Sequence, residues 1–468
     1  MAVLLLALGG TVAFVLLHAP GNVSHPNLEF TAPPSTAAAP PPTPKPKPKH
    51  AAVDNFLWPL YGYNDARTRA LAASRALAPP LHVGWRYDEG GLLEFPPVIY
   101  HGTLYLLDDY GYARAVDARS GHVLWTRHVG TLAAASPAID VGDHLVMMPI
   151  LSMNPGPDGR VPPPGNGRLV ALSMRTGRAV WSHPVAPGSE SSPIVSRRLV
   201  YFGDQGGTVY ALRARDGRVK WTYHASGAVK GGPALVGQTL YFGDYAGRAY
   251  ALNALNGRQI WAVGTSGTQF GFGSGNFYST PAVAFGRVYL GNTDGRVYSF
   301  GARDGALAWA TATGAYVYSS AAVQDTPGLG PTVFIGSYDG NFYAFNAQSG
   351  AIRWTHNAGG KISGSPTIVG NVVYYSDLGS KTSAGLDVRT GHQVFSFHDG
   401  LFSPVIADDR AIYLIGRQTI YELLPGARKR RAVPPRSRHP TGSHAKPRSR
   451  TSTANRVSRR RSASQRNR

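Results

Sequence analysis

Residues 344–354 read AFNAQSGAIRW, and close copies of this stretch recur along the chain. Residues 115–125, for example, read AVDARSGHVLW. In every copy a small residue precedes an aromatic residue by ten positions, and a polar residue followed by Gly stands between them. The pairs are Ala115 and Trp125, Ala171 and Trp181, Ala211 and Trp221, Ala251 and Trp261, Ser299 and Trp309, Ala344 and Trp354, and Gly385 and Phe395. One spacing repeated seven times indicates an internal structural repeat.

The aromatic series begins at Trp85 and advances in steps of 40, 56, 40, 40, 48, 45 and 41 residues. Each period contains a Pro, or Ala321 in its place, that begins a strand, followed by alternating strands and Gly-containing turns. A period of about 40–45 residues with four short strands is typical of β-propeller blades. We therefore predict an all-β fold, an eight-bladed β-propeller of four-stranded antiparallel blades in which each indole fills the gap to the next blade.

The two ends of the repeat region complement each other. The last repeat has no outer strand, and the strand at residues 81–87 has no inner strands before it. Pairing them gives a composite closing blade and removes exposed sheet edges. This predicts the propeller at residues 81–426, preceded by a lead-in segment at residues 54–80.

The N-terminal residues are uncharged and apolar or small from residue 2 to residue 17. Residues 1–20 are close to the length that spans a bilayer, which favours an uncleaved membrane anchor. A cleaved signal peptide and a buried helix are the alternatives, and the missing basic flank leaves a start further upstream open. Residues 21–53 form a Pro-rich linker, whose part from residue 31 to residue 50 is typical of an extended stalk.

The net charge of +21 is concentrated in the C-terminal tail. Residues 427–468 hold 15 Lys or Arg and no acidic residue, whereas residues 51–426 hold 29 basic and 25 acidic residues. We expect the tail to be disordered and to bind anionic polymers or lipid head groups. A solubilising tail without a partner is the alternative, and the nearly neutral body does not indicate nucleic-acid binding.

The pattern small-x-[Asp/Asn]-x-x-[Thr/Ser/Asp]-Gly-x-x-x-Trp resembles the tryptophan-docking repeat of eight-bladed quinoprotein-like propellers. The resemblance covers about residues 54–424 and implies the fold more specifically than the function. Two classes share this fold. One contains dehydrogenases that use pyrroloquinoline quinone and calcium, and the other is a cofactor-free group similar to the lipoprotein scaffold of the β-barrel assembly machinery.

The enzyme class is expected to have an Asp base, calcium ligands and a Trp stacked under the quinone, and many members add a vicinal disulfide. This chain has no Cys, which excludes the disulfide. Its ring tryptophans are assigned to docking positions, and the spare one, Trp58, lies before the ring. Turns explain the acidic residues, since Gly-rich turns, where Asp is favoured structurally, contain Asp204, Asp244, Asp294 and Asp339. We predict no catalytic, cofactor-binding or metal-binding residues and expect no cofactor.

The resemblance therefore favours a binding or scaffolding module at the cell envelope. The alternative is an oxidoreductase that depends on pyrroloquinoline quinone and calcium. The lipoprotein group carries a lipidated Cys that this chain lacks, so an apolar N-terminal helix would replace the lipid. We expect a single-pass membrane protein with a monomeric propeller outside the cytoplasm, or a secreted protein, whose partner is an envelope protein or polymer.

Two sets of residues are candidates for binding. Residues three positions before each strand-starting Pro, or before Ala321, should line the mouth of the central channel: Glu94, Ala134, Glu190, Lys230, Tyr278, Tyr318, Ser363 and Leu401. Their charged and aromatic members favour a ligand site, with Glu94, Glu190, Lys230, Tyr278, Tyr318 and Ser363 as its candidates. The alternative is that Glu190 pairs with Lys230 while the tyrosines plug the channel.

Two insertions interrupt the repeat and predict surface loops. One spans residues 147–168 and is rich in Pro, and the other spans residues 270–277 and reads FGFGSGNF. Phe270, Phe272 and Phe277 in the second loop are candidates to grip a peptide or sugar. Capping of the ring is the alternative role for this loop.

Overall fold

A computed structural model describes residues 22–33, 54–71, 77–153, 166–265 and 275–426. Within these ranges the chain forms eight antiparallel four-stranded blades and contains no α-helix. Three blades each gain one short additional strand from the N-terminal part of the chain. The predicted fold class and blade number are confirmed.

Each blade runs from an inner strand at the channel to an outer strand at the rim. The strands are, from inner to outer, Val98–Tyr100, Thr103–Leu107, Tyr112–Asp117 and Val123–His128 in blade 1; Ala138–Asp140, Leu145–Ile150, Gly167–Ser173 and Ala179–Val185 in blade 2; Ile194–Ser196, Leu199–Gly203, Thr208–Arg213 and Val219–His224 in blade 3; and Ala234–Val236, Thr239–Gly243, Arg248–Asn253 and Gln259–Gly264 in blade 4. They continue as Ala282–Ala284, Arg287–Gly291, Arg296–Gly301 and Leu307–Ala312 in blade 5; Ala322–Thr326, Gly330–Gly336, Asn341–Asn346 and Ile352–Asn357 in blade 6; Thr367–Val369, Val372–Asp377, Thr382–Asp387 and Gln393–Phe397 in blade 7; and Val405–Ala407, Ile412–Ile415, Thr419–Pro425 and Leu81–Asp88 in blade 8.

The repeated Trp docks each blade onto the next, as Trp221 shows. Trp221 lies opposite the small Ala211 on the third strand of blade 3. Its Nε1 donates a hydrogen bond of 2.9 Å to the carbonyl of Ala254 in blade 4. Its ring covers Gly257, where a Cβ atom would lie 2.7 Å from the indole and where φ is +73°. The Gly of the repeat is therefore required by both the indole and the backbone conformation.

The other ring tryptophans make the same hydrogen bond to the following blade. The donors and acceptors are Trp85 and Ala118, Trp125 and Met174, Trp181 and Ala214, Trp261 and Ala302, Trp309 and Ala347, and Trp354 and Val388. Phe395 has no such donor and packs against Tyr374 with ring centroids 5.7 Å apart. The docking role predicted from the spacing is confirmed.

Blade 8 closes the ring with strands from both ends of the repeat region. Leu81–Asp88 pairs antiparallel with Thr419–Pro425. Trp85 on this N-terminal strand docks onto blade 1, so the composite blade takes part in the same series of contacts. The predicted closure is confirmed.

The Asp residues in the Gly-rich turns have structural partners, as predicted. Asp244 accepts hydrogen bonds from the backbone N–H groups of Ala246 and Arg248, and its second oxygen accepts one of 2.7 Å from the Tyr250 hydroxyl. The corresponding Asp–Tyr pairs are Asp204 with Tyr210, Asp294 with Tyr298, and Asp339 with Tyr343. These carboxylates hold the turns between second and third strands.

The lead-in segment lies inside the ring and closes one end of the channel. Leu57–Trp58 pairs with the inner strand of blade 1, and Ala70–Leu71 pairs with that of blade 7. Between them, the inner strands of other blades donate backbone hydrogen bonds to successive carbonyls of the segment: Ile139 to Pro59, Leu235 to Asp65, Val283 to Ala66, Val323 to Thr68 and Ile368 to Arg69. We call residues 57–71 the axial plug.

Arg67 is the central side chain of the axial plug and is fully buried. Its guanidinium donates hydrogen bonds to the carbonyls of Tyr61, Pro233, Ser192 and Pro193. Burial lowers the pKa of Arg67 to about 9, and the nearby charge of Arg69, which is also buried, contributes to this decrease. Carbonyl groups thus accept all the hydrogen bonds of this cation that are described, and the nearby charge of Asp65 favours its charged form.

The start of the predicted linker is docked on the propeller. Val23–Ser24 adds a fifth strand to the outer edge of blade 5, next to Trp309. Phe30 packs against Phe285 with ring centroids 5.7 Å apart, and the backbone N–H of Thr31 donates to the carbonyl of Phe285. The chain is therefore held against the rim of blade 5 before the Pro-rich stretch begins.

Several predicted segments lie outside the described residues. These are the proposed anchor, most of the Pro-rich linker from residue 34 to residue 53, and the basic tail from residue 427 onward. Among the residues that the structure does describe, no helix is long and apolar enough to cross a membrane.

Candidate functional site

The channel opens at the end opposite the axial plug, where the loops before the inner strands converge. All six predicted channel-mouth candidates line one cavity there: Glu94, Glu190, Lys230, Tyr278, Tyr318 and Ser363. Ala134 and Leu401, at the equivalent positions of blades 2 and 8, are not among its lining residues. The eightfold repeat thus brings together side chains up to 269 positions apart, from Glu94 to Ser363. Their role in binding remains a prediction.

A ring of hydroxyl groups supports the cavity from within the channel. The backbone N–H of Gly232 donates to the hydroxyl of Thr280 at 3.0 Å, that of Thr280 to Ser320 at 2.9 Å, and that of Ser320 to Ser365 at 2.9 Å. Each bond joins one blade to the next. These bonds tie together the backbone of blades 4 to 7 next to the channel-mouth residues.

The floor of the cavity is Tyr61 of the axial plug. Its hydroxyl donates a hydrogen bond of 2.9 Å to Ser365. The buried guanidinium of Arg69 lies 3.8 Å from the centre of the Tyr61 ring, on which it stacks. The plug therefore closes the channel and contributes an aromatic floor to the cavity.

Glu190 and Lys230 form a salt bridge of 3.1 Å inside the mouth. This is the pairing that the structural alternative for these two residues predicts. Glu190 also accepts a hydrogen bond from Gln205, and its second oxygen lies 3.5 Å from the Tyr278 hydroxyl. Lys230 Nζ lies 4.8 Å from the centre of the Tyr245 ring. The ammonium is thus held by a carboxylate and an aromatic face together.

Two further carboxyl groups in this region have strongly perturbed pKa values. Burial raises the pKa of Glu94 to about 7, and the charge of Glu190 adds to the rise while that of Lys230 opposes it. Burial also raises the pKa of Asp109 to about 8, assisted by Glu94 and Asp108. The mouth therefore contains more carboxyl groups than its single Lys can neutralise.

A row of tyrosines extends from the mouth across blades 4 to 6. The ring centroids of Tyr245 and Tyr278 are 6.1 Å apart, those of Tyr278 and Tyr318 are 5.6 Å apart, and those of Tyr318 and Tyr338 are 4.9 Å apart. Tyr316 adds an edge contact to Tyr318 at 6.0 Å and is 54% exposed. We call these five residues the tyrosine row.

Sequence reasoning missed three members of this row and Asp109. Tyr245, Tyr338 and Asp109 occupy the second position of the turns between second and third strands. Backbone hydrogen bonds from these turns to the loops before the inner strands place them at the mouth, such as the bond from Tyr338 to Tyr316. Aligning these turns across the repeats would have revealed the second tier of residues.

The loop candidates do not converge on the mouth cavity. Phe270 and Phe272 lie outside the described residues, as does the central part of the Pro-rich insertion, residues 154–165. Phe277 is fully buried and packs against Tyr298 and Phe300 with ring centroids 5.8 and 6.3 Å apart. The prediction that Phe277 contacts a ligand is wrong, because its ring fills the core between blades 4 and 5.

The described residues do not fit pyrroloquinoline quinone with calcium. The cavity has a volume of about 40 Å³, which is room for a few water molecules rather than a fused ring system. The spare tryptophan, Trp58, is 1% exposed and packs in blade 1, so it cannot stack under a quinone. No group of three or more His, Asp or Glu side chains in the described ranges is placed to hold a metal ion.

Comparison with known proteins agrees with the geometry of the ring. The family model described as outer membrane protein assembly factor BamB matches residues 82–194, 165–328 and 295–425. These matches extend over more than half of the chain and cover nearly the whole propeller. The resemblance inferred from the Trp spacing is confirmed.

Individual relatives come from both classes that share the fold. A 138-residue segment is 30% identical to 1-butanol dehydrogenase (cytochrome c) of Thauera butanivorans, and it covers 26% of this chain but only 18% of that enzyme. The crystal structure of BamB from Moraxella catarrhalis is 18% identical with a TM-score of 0.58, covering 74% of this chain and 99% of BamB.

Quinohemoprotein alcohol dehydrogenase from Comamonas testosteroni is 14% identical with a TM-score of 0.62, covering 80% of this chain and 81% of the enzyme. At these identities the structural likeness shows the fold alone. The extent of the family match goes further, and it shows that the chain belongs to the family of PQQ-like-repeat β-propellers described as outer membrane protein assembly factor BamB.

Proposed function

We propose that this protein is a binding or scaffolding module at the cell envelope, which engages its partner through the channel mouth. The observation that carries the proposal is the convergence of Glu94, Glu190, Lys230, Tyr278 and Tyr318 on one cavity. Concave sites with a few converging polar and aromatic groups are the usual binding sites of folded proteins. The ring of hydroxyls and the axial plug hold this site in place before any partner arrives.

The proposed location is the outer side of the cell membrane, with the apolar residues 2–17 as a single-pass anchor and a secreted form as the alternative. The partner is an envelope protein or polymer, and the propeller acts as a monomer. Docking of Val23–Ser24 on blade 5 supports a short connection between anchor and propeller. The preceding residue, Asn22, is already held at the rim, because its side-chain oxygen accepts a hydrogen bond from the backbone N–H of Ala312.

The basic tail has a separate proposed role, the binding of anionic polymers or lipid head groups. Its 15 positive charges over 42 residues meet no acidic residue in the same segment. Such a segment attracts polyanions through charge alone, and its binding weakens as salt is added.

The second candidate function is a quinone- and calcium-dependent oxidoreductase, which the match to 1-butanol dehydrogenase favours over part of the chain. A titration with pyrroloquinoline quinone and calcium separates the two functions. We expect no saturable change in the quinone absorbance and no cofactor-dependent alcohol oxidation, because the cavity is too small. Stoichiometric binding of the quinone with alcohol-dependent reduction of a dye would refute the proposal of a non-enzymatic module.

A further inference from the structure

The channel mouth holds carboxyl groups that have no cation as a partner within the described ranges of the protein. Glu94 and Glu190 line the cavity and Asp109 lies close enough to Glu94 to feel its charge, and among the described residues Lys230 is the cation that acts on the two glutamates. Asp108, which also faces Asp109, lies 3.6 Å from Arg114 and so has its own partner. Glu94 thus faces the cavity beside Glu190 without a described cation of its own, and a proton partly neutralises it at neutral pH because its pKa is raised to about 7.

Lys230 shows how this site holds a cation. Its ammonium lies 3.1 Å from a Glu190 oxygen and 4.8 Å from the centre of the Tyr245 ring. At the other end of the tyrosine row, Lys361 Nζ lies 5.6 Å from the centre of the Tyr338 ring. Carboxylate and aromatic faces together are the usual environment for an ammonium or guanidinium group.

A cleft continues from the cavity along the tyrosine row. It is lined by Tyr245, Tyr316, Tyr318, Asn276 and Thr293, and its volume is about 520 Å³. Tyr318 lines both the cavity and the cleft, so the two are neighbours. The cleft offers aromatic faces for aliphatic stems and polar side chains for a peptide backbone.

The two faces of the propeller differ in charge. The turns around the mouth carry acidic residues: Asp108, Asp109, Asp204, Asp244, Asp294, Asp339 and Asp377. The turns between third and fourth strands, on the opposite face, carry more basic than acidic residues: Arg119, Arg175, Arg178, Arg215, Arg218, Arg258, Arg303 and Arg389 against Asp216 and Asp304. The mouth face is therefore the more acidic of the two and attracts a basic partner more strongly.

We propose that the mouth binds a basic, extended segment of a partner protein, with one Lys or Arg head group in the cavity beside Glu94 and Glu190 and the flanking residues along the tyrosine row. This inference rests on the proposed function and names the chemical class of its ligand. The cavity volume of about 40 Å³ suits one head group and excludes a bulkier one. The carboxyl groups of the cavity are complementary in charge to such a head group, and the tyrosine-lined cleft offers uncharged faces to the flanking residues.

Lys230 competes with the ligand in this arrangement. It occupies the place between Glu190 and Tyr245 that an incoming ammonium would also favour. Removing the charge of Lys230 should strengthen binding of a cation, whereas removing the charge of Glu94 or Glu190 should weaken it. If the mouth instead binds an anion through Lys230, removing the charge of Lys230 should weaken binding, and removing the charge of Glu94 or Glu190 should strengthen it.

The test is isothermal titration of the full chain with tetralysine, and with tetralysine acetylated on its side-chain amines. We expect tetralysine to bind and the acetylated peptide not to bind. Glu94→Gln and Glu190→Gln should each weaken binding at least tenfold, and Lys230→Met should strengthen it several-fold. Asp216→Asn, which removes a carboxylate from a turn on the opposite face, is the matched control and should change binding less than twofold.

The pH dependence gives a second readout that a purely structural effect would not produce. A bound cation favours the ionised carboxyls, so binding should tighten from pH 6 to pH 9 and release protons, which titrations in two buffers of different ionisation enthalpy measure. Glu94→Gln should reduce the number of protons released. Thermal melts of each variant establish that the fold is retained.

Three results would overturn the inference: equal binding of the acetylated peptide, unchanged affinity in Glu94→Gln, or weaker binding in Lys230→Met. Failure here is distinguishable from failure of the proposed function. If a partner is captured by photo-crosslinking from position 318 while tetralysine does not bind, the mouth is a binding site for another class of ligand. If neither occurs, the mouth is not the binding site.

Discussion

Contact between Trp221 and Gly257 offers a quantitative test of blade docking. Trp221 is 9% exposed and donates its indole N–H to Ala254 in the next blade. Trp221→Ala removes this bond and leaves a cavity between blades 3 and 4. Large aromatic residues replaced by Ala in cores cost about 3–5 kcal/mol, so we expect a loss of that order.

Gly257 probes the same contact from the other side. A Cβ atom there would lie 2.7 Å from the indole of Trp221, at a φ of +73°. Gly257→Ala should therefore destabilise both through the clash and through the left-handed backbone, which alone costs about 1–2 kcal/mol. In the Trp221→Ala background the clash is gone, and only the backbone cost of about 1–2 kcal/mol should remain.

The assay is urea unfolding of the two single variants and the double variant, read as free energies of unfolding with a common slope. We expect the double variant to be more stable than the sum of the single effects predicts. Trp221→Phe is a milder control, which keeps most of the ring and loses the hydrogen bond of about 1 kcal/mol. Wild-type stability in Trp221→Ala, or strict additivity in the double variant, would refute the docking account.

Four further predictions concern closure, charge and the two ends of the chain. Deleting residues 81–87 should expose the edge of Thr419–Pro425 in blade 8 and cause aggregation or loss of cooperative unfolding, and a monomeric variant that melts cooperatively would argue against the composite blade. The pKa of Glu94 is raised to about 7 in the folded protein, so the folded state binds a proton more tightly than the unfolded state does. The free energy of unfolding of the wild type should therefore fall as the pH rises from about 4.5 to 7. Glu94→Gln lacks this penalty, so urea unfolding should show its advantage over wild type growing by up to about 3 kcal/mol from pH 5 to pH 8, whereas a constant difference would contradict the assignment. Truncation after Gly426 should abolish salt-sensitive binding of polyphosphate without changing the melting temperature, and unchanged binding by the truncated chain would shift this role to the propeller. An uncleaved anchor predicts an intact mass that includes residues 1–20 in the membrane fraction, and an N-terminus beyond Ala19 would indicate secretion.

The features that sequence reasoning predicted well are those set by local, repeated spacing. Trp221 and its equivalents were assigned because each lies ten positions after a small residue, and the structure pairs those two residues directly across adjacent strands. Composite closure followed from strand counting at the ends. The six mouth residues followed from their fixed offset to the strand-starting Pro.

The features that sequence reasoning missed depend on contacts that do not repeat. Arg67 reaches carbonyls of Ser192 and Pro233, more than a hundred positions away, and no local pattern marks it. Gly232 is a related case, since a Cβ there would meet the carbonyl of Ser192 and the guanidinium of Arg67. Burial of Phe277 was missed because a Gly-rich aromatic stretch has the same composition whether it lies on the surface or begins a blade.

The central claim is that the channel mouth is where this protein meets its partner. The most direct measurement places a benzophenone amino acid at position 318, in the mouth, or at position 255, where Leu255 is 51% exposed on the opposite face. After irradiation of cells, we expect one discrete crosslinked partner from position 318, lost in the presence of Glu190→Gln, and none of that partner from position 255. The same adduct from both positions, or none from position 318, would contradict the claim.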